Sequence, residues 1–204
     1  MIYNKFMDTQ SFQTEAKRKL FHLTGLVYVA GFLFIPHFTL LIVLILLLCA
    51  EATTEILRLK HQNIRNWSHR ILGDLLRDHE RDKLSGAFWM TLGALGTAVV
   101  LPEPRLGATC MLYLIFGDAA ASLTGKLLQG PAWYKSPKRI SGSVACFIAC
   151  VLSGLVMLPP DLGWDFVLIG AFTATFFELH SWKINDNFLI PFASAIGFFL
   201  TSLL

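Results

Sequence analysis

Three observations predict an all-α polytopic membrane protein, with about seven transmembrane helices, a cytoplasmic N-terminus and one amphipathic interfacial helix. Of the 204 residues, 54% are hydrophobic and only 15% charged, and the mean hydropathy is +0.57. That balance excludes an ordinary soluble domain. The apolar residues come in blocks long enough to span a bilayer. The cations gather in alternate connections between those blocks, which fixes an expected orientation.

Candidate spans run over 20–36, 38–57, 86–102, 106–125, 143–159, 162–180 and 187–204. The first follows Lys17-Arg18-Lys19 behind a mixed polar tail. No Ala-x-Ala-like site comes after it, so it reads as a retained span and not a cleaved signal peptide. With an odd number of spans, the N-terminal tail and the 58–85, 126–142 and 181–186 connections share one side. They hold nearly all the Lys and Arg residues, and the other side carries only Arg105. The positive-inside rule then sets the tail in the cytoplasm. In the 58–85 connection, Ile64, Trp67, Ile71, Leu72 and Leu75 recur at helical spacing, with Arg65, His69, Arg70 and Asp74 between them. A helix lying on the membrane surface fits that pattern. No linker divides the chain, and 1–204 is read as a single integral-membrane catalytic domain.

Cys49, Cys110, Cys146 and Cys150 all lie in apolar blocks. Their spacing matches neither a metal site nor a secreted disulfide framework, so they read as small buried hydrophobes. Trp89, Trp133, Trp164 and Trp182 fall near span ends, where they would form interfacial belts.

The informative residues are polar groups inside apolar segments. Asp118 follows an almost wholly apolar run, about 12 Å inside the basic end at Lys126. A carboxylate at that depth costs roughly 3 kcal/mol unless it is paired or used. Glu178 is a second intramembrane acid. Asp186 and Asn187 open the last span, where either could cap the helix. Glu51 and Glu55 share a helix face with Arg58 one turn on, so they form either a neutralised pair or a metal or substrate contact. Lys19 and His22 share a face and could approach a phosphate together. Arg81 and Lys83 stand just before the third span, as a start signal or as phosphate ligands. The stretch from Lys126 to Ser143 is basic and rich in small residues, with Lys138, Arg139, Gly142 and Ser143 at its end. Cations and backbone amides in such a loop can cradle a polyphosphate. It is not a Walker A loop, because Gly-x-x-x-x-Gly-Lys-Ser/Thr is absent. Two or three acids beside many cations describe a Mg²⁺–nucleotide site, in which carboxylates hold the metal and Lys and Arg hold the phosphates.

At these residues the chain resembles the CTP-dependent lipid-alcohol kinases: dolichol kinase, phytol kinase and the CTP-using diacylglycerol kinase. The likeness runs from about Ala16 to the C-terminus. It rests on Arg18, Lys19 and His22, on the acid ending span two, and on the basic residue with Gly86 before span three. Its strongest parts are Gly117-Asp118-x-x-Ala121-x-x-x-Gly125-Lys126, Lys138…Gly142-Ser143, and Glu178…Asp186-Asn187-x-x-Ile190-Pro191. It departs from the family at Ser141 and Asn185, where acids are usual.

The resemblance implies transfer of the γ-phosphoryl group of CTP to a lipid hydroxyl, either diacylglycerol or a polyprenol- or phytol-type alcohol, with Mg²⁺ at a site facing the cytoplasm. Asp118, Lys126 and Glu178 would be catalytic, Asp118 as metal ligand or base. Lys19, His22, Arg81, Lys83, Gly125, Lys126, Lys138, Arg139, Gly142 and Ser143 would hold the nucleotide. Asp118, Glu178, Asp186 and Glu51 would serve the metal, with Glu55 and Asn187 as further polar contacts. The expected partners are CTP, the lipid alcohol and membrane lipids, with no nucleic acid; the oligomeric state is left open. The membrane would be a bacterial inner membrane or the endoplasmic reticulum. A cytidylyltransferase forming a CDP-lipid from phosphatidate is the nearest alternative. An ion-coupled transporter or nonenzymatic scaffold is the alternative outside that class.

Overall fold

The computed structural model describes residues 15–20, 22–66, 83–128, 130–133, 136, 138–180 and 184–203. Among them the chain is all-helical, and its one β feature is an isolated bridge between Ala132 and Arg139. Residues 15–20 are helical and lead through a 3₁₀ turn, Leu23–Gly25, into α1 (Leu26–Phe34). Then come α2 (His37–Lys60), α3 (Gly86–Val100) and α4 (Pro104–Leu112). A π turn, Tyr113–Gly117, joins α4 to α5 (Asp118–Leu128). The chain closes with α6 (Ile140–Met157), α7 (Trp164–Leu179) and α8 (Asp186–Thr201).

Three of these are long and apolar enough to cross a membrane: His37–Lys60, the continuous rod Pro104–Leu128, and Ile140–Met157. Gly86–Val100 and Asp186–Thr201 are shorter apolar helices. The first expected span is not one smooth helix, because the 3₁₀ turn interrupts it and Pro36 ends it. The expected interfacial helix lies almost wholly outside the described residues, and so does Arg81.

The surface has a membrane protein's polarity. Ile45, Leu46 and Leu47 on α2, Ile148 and Leu152 on α6, and Phe172 and Phe176 on α7 are all exposed. Apolar area on that scale is stable only against lipid or another protein. The rod Pro104–Leu128 is mostly buried at the centre, while α2 and α6 turn most of their surface outward.

Helices meet here through small residues, as expected where lipid is as apolar as Leu and close van der Waals contact must hold the bundle. On Gly93 of α3, a methyl group would lie 2.7 Å from the Asn187 carbonyl and 3.0 Å from Pro191. Pro191 has no N–H to offer that carbonyl, so the backbone opens where α3 crosses. On Gly142, a methyl group would fall 2.6 Å from the Ala121 carbonyl, and Gly125 lies beside it. These two glycines let α5 and α6 touch backbone to backbone.

Cys110, Cys146 and Cys150 are buried free thiols, and the two on α6 pack over Gly117. Cys49 departs from expectation, because it faces outward from α2. The cap of α8 also departs: Asn185, one residue earlier than expected, accepts the Asn187 N–H at 3.0 Å. An Asn at the position before the first helical residue is well suited to that bond.

Candidate functional site

Asp118 is the first residue after the π turn, and 5% of its surface is exposed. A π turn inside an apolar helix carries a poorer hydrogen-bond ladder, and such turns recur at functional positions. Gly117 permits it here by leaving room for the sulfurs of Cys146 and Cys150. The Asp118 carboxylate receives a hydrogen bond from Lys19 Nζ, and His22 Nε2 stands 3.9 Å from the same oxygen. Thus the N-terminal helical segment supplies the counter-charge for an acid ninety-nine residues away.

Glu178, on the last turn of α7, is equally buried. Lys138 Nζ donates to its Oε1 at 2.6 Å and also to its backbone carbonyl. Glu178 lies within electrostatic reach of Asp118 and Asp186. The site is therefore two buried carboxylates, each matched by a lysine from a different segment. A buried ion left without its partner costs several kcal/mol, which explains why each acid has one.

The cation loop has its own supports. Trp133 Nε1 donates to Ser143 Oγ at 3.0 Å, so this tryptophan anchors the start of α6 besides lying near its end. Arg139 Nη1 donates to the Gly130 carbonyl at 2.7 Å and closes the turn. Lys126 extends from the last turn of α5 to Glu15, 3.1 Å away. Glu15 was not singled out from the sequence. It is buried, and it also lies 3.9 Å from both Arg18 and Lys19. Its spacing of three and four residues from those cations was the available signal.

Other expected residues make local contacts of their own. Glu51 shares the hydroxyl of Thr91 with Tyr28, whose own hydroxyl is 2.6 Å from Thr91 Oγ1. Among the described residues, Glu51 Oε2 is buried without a hydrogen-bond partner. Glu55 is locked to Arg58 at 2.6 Å, and Arg58 also donates to the Lys83 carbonyl at 2.5 Å. That bond ties the end of α2 to the start of α3, while the Lys83 side chain lies on the surface. Asn187 Nδ2 donates to the Gly86 carbonyl at 2.9 Å and joins α8 to α3.

Among the described residues, no group of three His, Cys, Asp or Glu side chains stands in metal-holding geometry. The donor chemistry of Asp118, Glu178 and Asp186 still suits Mg²⁺, a hard cation usually held by one or two carboxylates with waters and substrate phosphates.

Fold and site together define a helical, membrane-embedded protein whose buried acids sit beside a cluster of cations. A CTP-dependent diacylglycerol kinase of Schizosaccharomyces pombe is 25% identical over 169 residues, covering 72% of this chain and 74% of its own. An uncharacterised protein of Rickettsia prowazekii is 27% identical over 199 residues, covering 94% of this chain and 96% of its own. No protein-family model matches the chain. No solved structure matches it.

Proposed function

We propose that this protein is a CTP-dependent kinase of a membrane lipid alcohol. The observation that carries the proposal is the two buried carboxylates paired with lysines, Lys19–Asp118 and Lys138–Glu178, from four separate segments. The distant likeness to a CTP-dependent diacylglycerol kinase supports it. In this reading all seven apolar segments cross the membrane, the N-terminus is cytoplasmic, and the connection after α2 lies on the membrane surface.

The nucleotide enters from the cytoplasmic side. Lys19, Lys126, Lys138 and Arg139 receive the triphosphate, with Ser143 as a hydroxyl donor. Asp118, Glu178 and Asp186 would hold Mg²⁺, which when bound offsets the charge of the phosphates. The lipid alcohol arrives sideways from the bilayer. Its hydroxyl oxygen forms the new bond to the γ-phosphorus as the bond to the bridging oxygen breaks. CDP leaves, and the hydroxyl proton goes to a carboxylate or to water. Lys19 and Lys138 change partners in this scheme, from carboxylates to phosphates as the nucleotide binds.

The test uses purified protein in detergent with Mg²⁺, γ-labelled CTP, and a panel of diacylglycerol, phytol and polyprenols. Label entering a lipid, and lost in Asp118→Asn, is the expected result. Label released as pyrophosphate on adding phosphatidate would replace the kinase with a cytidylyltransferase. An absence of CTP turnover with every lipid would overturn both.

A further inference from the structure

We infer that Glu15 is an internal anion seated in the phosphate-binding cluster, and that the polyphosphate of the nucleotide displaces it. The inference rests on the phosphate-site reading above and adds a residue that sets the site's affinity.

Among the described residues, every partner of the Glu15 carboxylate is a cationic side chain. Lys126 donates to Oε2 at 3.1 Å, Arg18 Nη1 lies 3.9 Å from the same oxygen, and Lys19 Nζ lies 3.9 Å from Oε1. Only the first is a hydrogen bond; the other two contacts are too long for one. The carboxylate is therefore held by charge with little directional bonding. Its side chain is 9% exposed, whereas that of Lys126 is 37% exposed. One wall of the cluster is thus open to an incoming anion.

The three cations come from two segments, the N-terminal helical residues and the end of α5. They converge around two oxygens, while Lys19 also serves Asp118. Three positive groups that close would repel one another with nothing between them. A carboxylate relieves that repulsion when the site is empty. A triphosphate offers more oxygens and more charge at the same place, and it can make several short charged bonds where Glu15 accepts one, from Lys126. The Glu15 side chain then turns away while its helical segment, which also carries Arg18 and Lys19, stays in place. The site's resting affinity for free phosphates is lowered by the carboxylate, so a short ligand such as orthophosphate competes poorly and a triphosphate competes well.

The test measures binding calorimetrically on the detergent-purified full chain, with inorganic tripolyphosphate and with orthophosphate as probes, for the native protein, Glu15→Gln and Glu15→Asp. Loss of one nearby negative charge should tighten tripolyphosphate binding by about tenfold in Glu15→Gln. It should raise orthophosphate binding from negligible to measurable, and Glu15→Asp should behave as the native protein does. Thermal melting provides the second readout. Glu15→Gln should melt lower without ligand, and tripolyphosphate should raise its melting temperature more than it raises that of the native protein. Unchanged or weaker binding in Glu15→Gln would overturn the inference and make Glu15 a support for Lys126. The kinase reading is judged separately by label transfer from CTP to lipid. Tighter binding without lipid labelling would sink the kinase and leave the displaced anion standing. Lipid labelling with unchanged binding would do the reverse.

Discussion

Lys138 holds Glu178 twice, through its carboxylate and through its backbone carbonyl. The lysine thus closes the C-terminal end of α7, where helix carbonyls lack partners, and neutralises the acid beside it. The double contact makes Lys138→Met the most informative single change in the loop. It should lower the melting temperature in detergent and reduce lipid labelling by about a hundredfold, because a buried charge and a phosphate donor are lost together. Lys138→Arg should keep most of the stability and recover only part of the activity, since a guanidinium cannot reproduce both bonds in the same space.

Asp118→Asn should abolish phosphoryl transfer while leaving the helices formed. It should also destabilise the protein by about 3–5 kcal/mol, the usual cost of stranding a buried partner, because Lys19 remains between helices without its carboxylate. Adding Lys19→Met should restore stability without restoring activity. Circular dichroism melts of the single and double variants decide this. A double variant less stable than Asp118→Asn would argue that the contact of Lys19 with Glu15 outweighs its pairing with Asp118.

The Glu55–Arg58 pair makes the same argument away from the site. Arg58→Met alone should destabilise the protein, by unpairing Glu55 and by freeing the Lys83 carbonyl. The joint change Glu55→Leu with Arg58→Met should recover at least half of that loss. The comparison is made by denaturant or thermal melts, with lipid labelling retained in the double variant.

Gly142→Ala should separate α5 from α6, because the added methyl group would meet the backbone carbonyl of Ala121, which cannot rotate away. A cost of about 1–3 kcal/mol is expected from overpacking. Gly130→Ala, whose methyl group would sit 3.7 Å from Ser141 Oγ, is the matched control and should be nearly neutral.

The orientation can be read with cysteine labelling in a background where the native cysteines are replaced by alanine. Ser136→Cys should react with a membrane-impermeant maleimide only in inside-out vesicles, and Asp161→Cys only in right-side-out ones. The opposite pattern would overturn the positive-inside assignment.

Asp118 and Glu178 were legible from the sequence because an acid within an apolar run is costly enough to demand a reason. Most helix positions were legible because block hydropathy marks them, but the 3₁₀ turn at Leu23–Gly25 leaves no mark in hydropathy. Glu15 was not, because it lies in a polar segment where an acid needs no explanation, and only folding brings Lys126 to it. Gly125 and Gly142 read equally well as amide donors around a phosphate and as contact points between helices. The sequence cannot separate these, and the carbonyl of Ala121 facing Gly142 supplies the packing reason. Asn185 is the less obvious cap because it stands one residue before Asp186, the acid that draws notice.

The wide turn at Tyr113–Gly117 has a consequence for how this protein can change. Accommodating one extra residue in a helical turn advances everything beyond it by about 100°. The turn therefore acts as a phase shifter between α4, which sets the bundle's grip, and α5, which carries Asp118. Straightening it into ordinary α-helix with every residue kept would rotate the carboxylate off its lysine, although no functional side chain had been altered. A substitution here that restores the ordinary helical ladder is a larger event than most substitutions in the site itself.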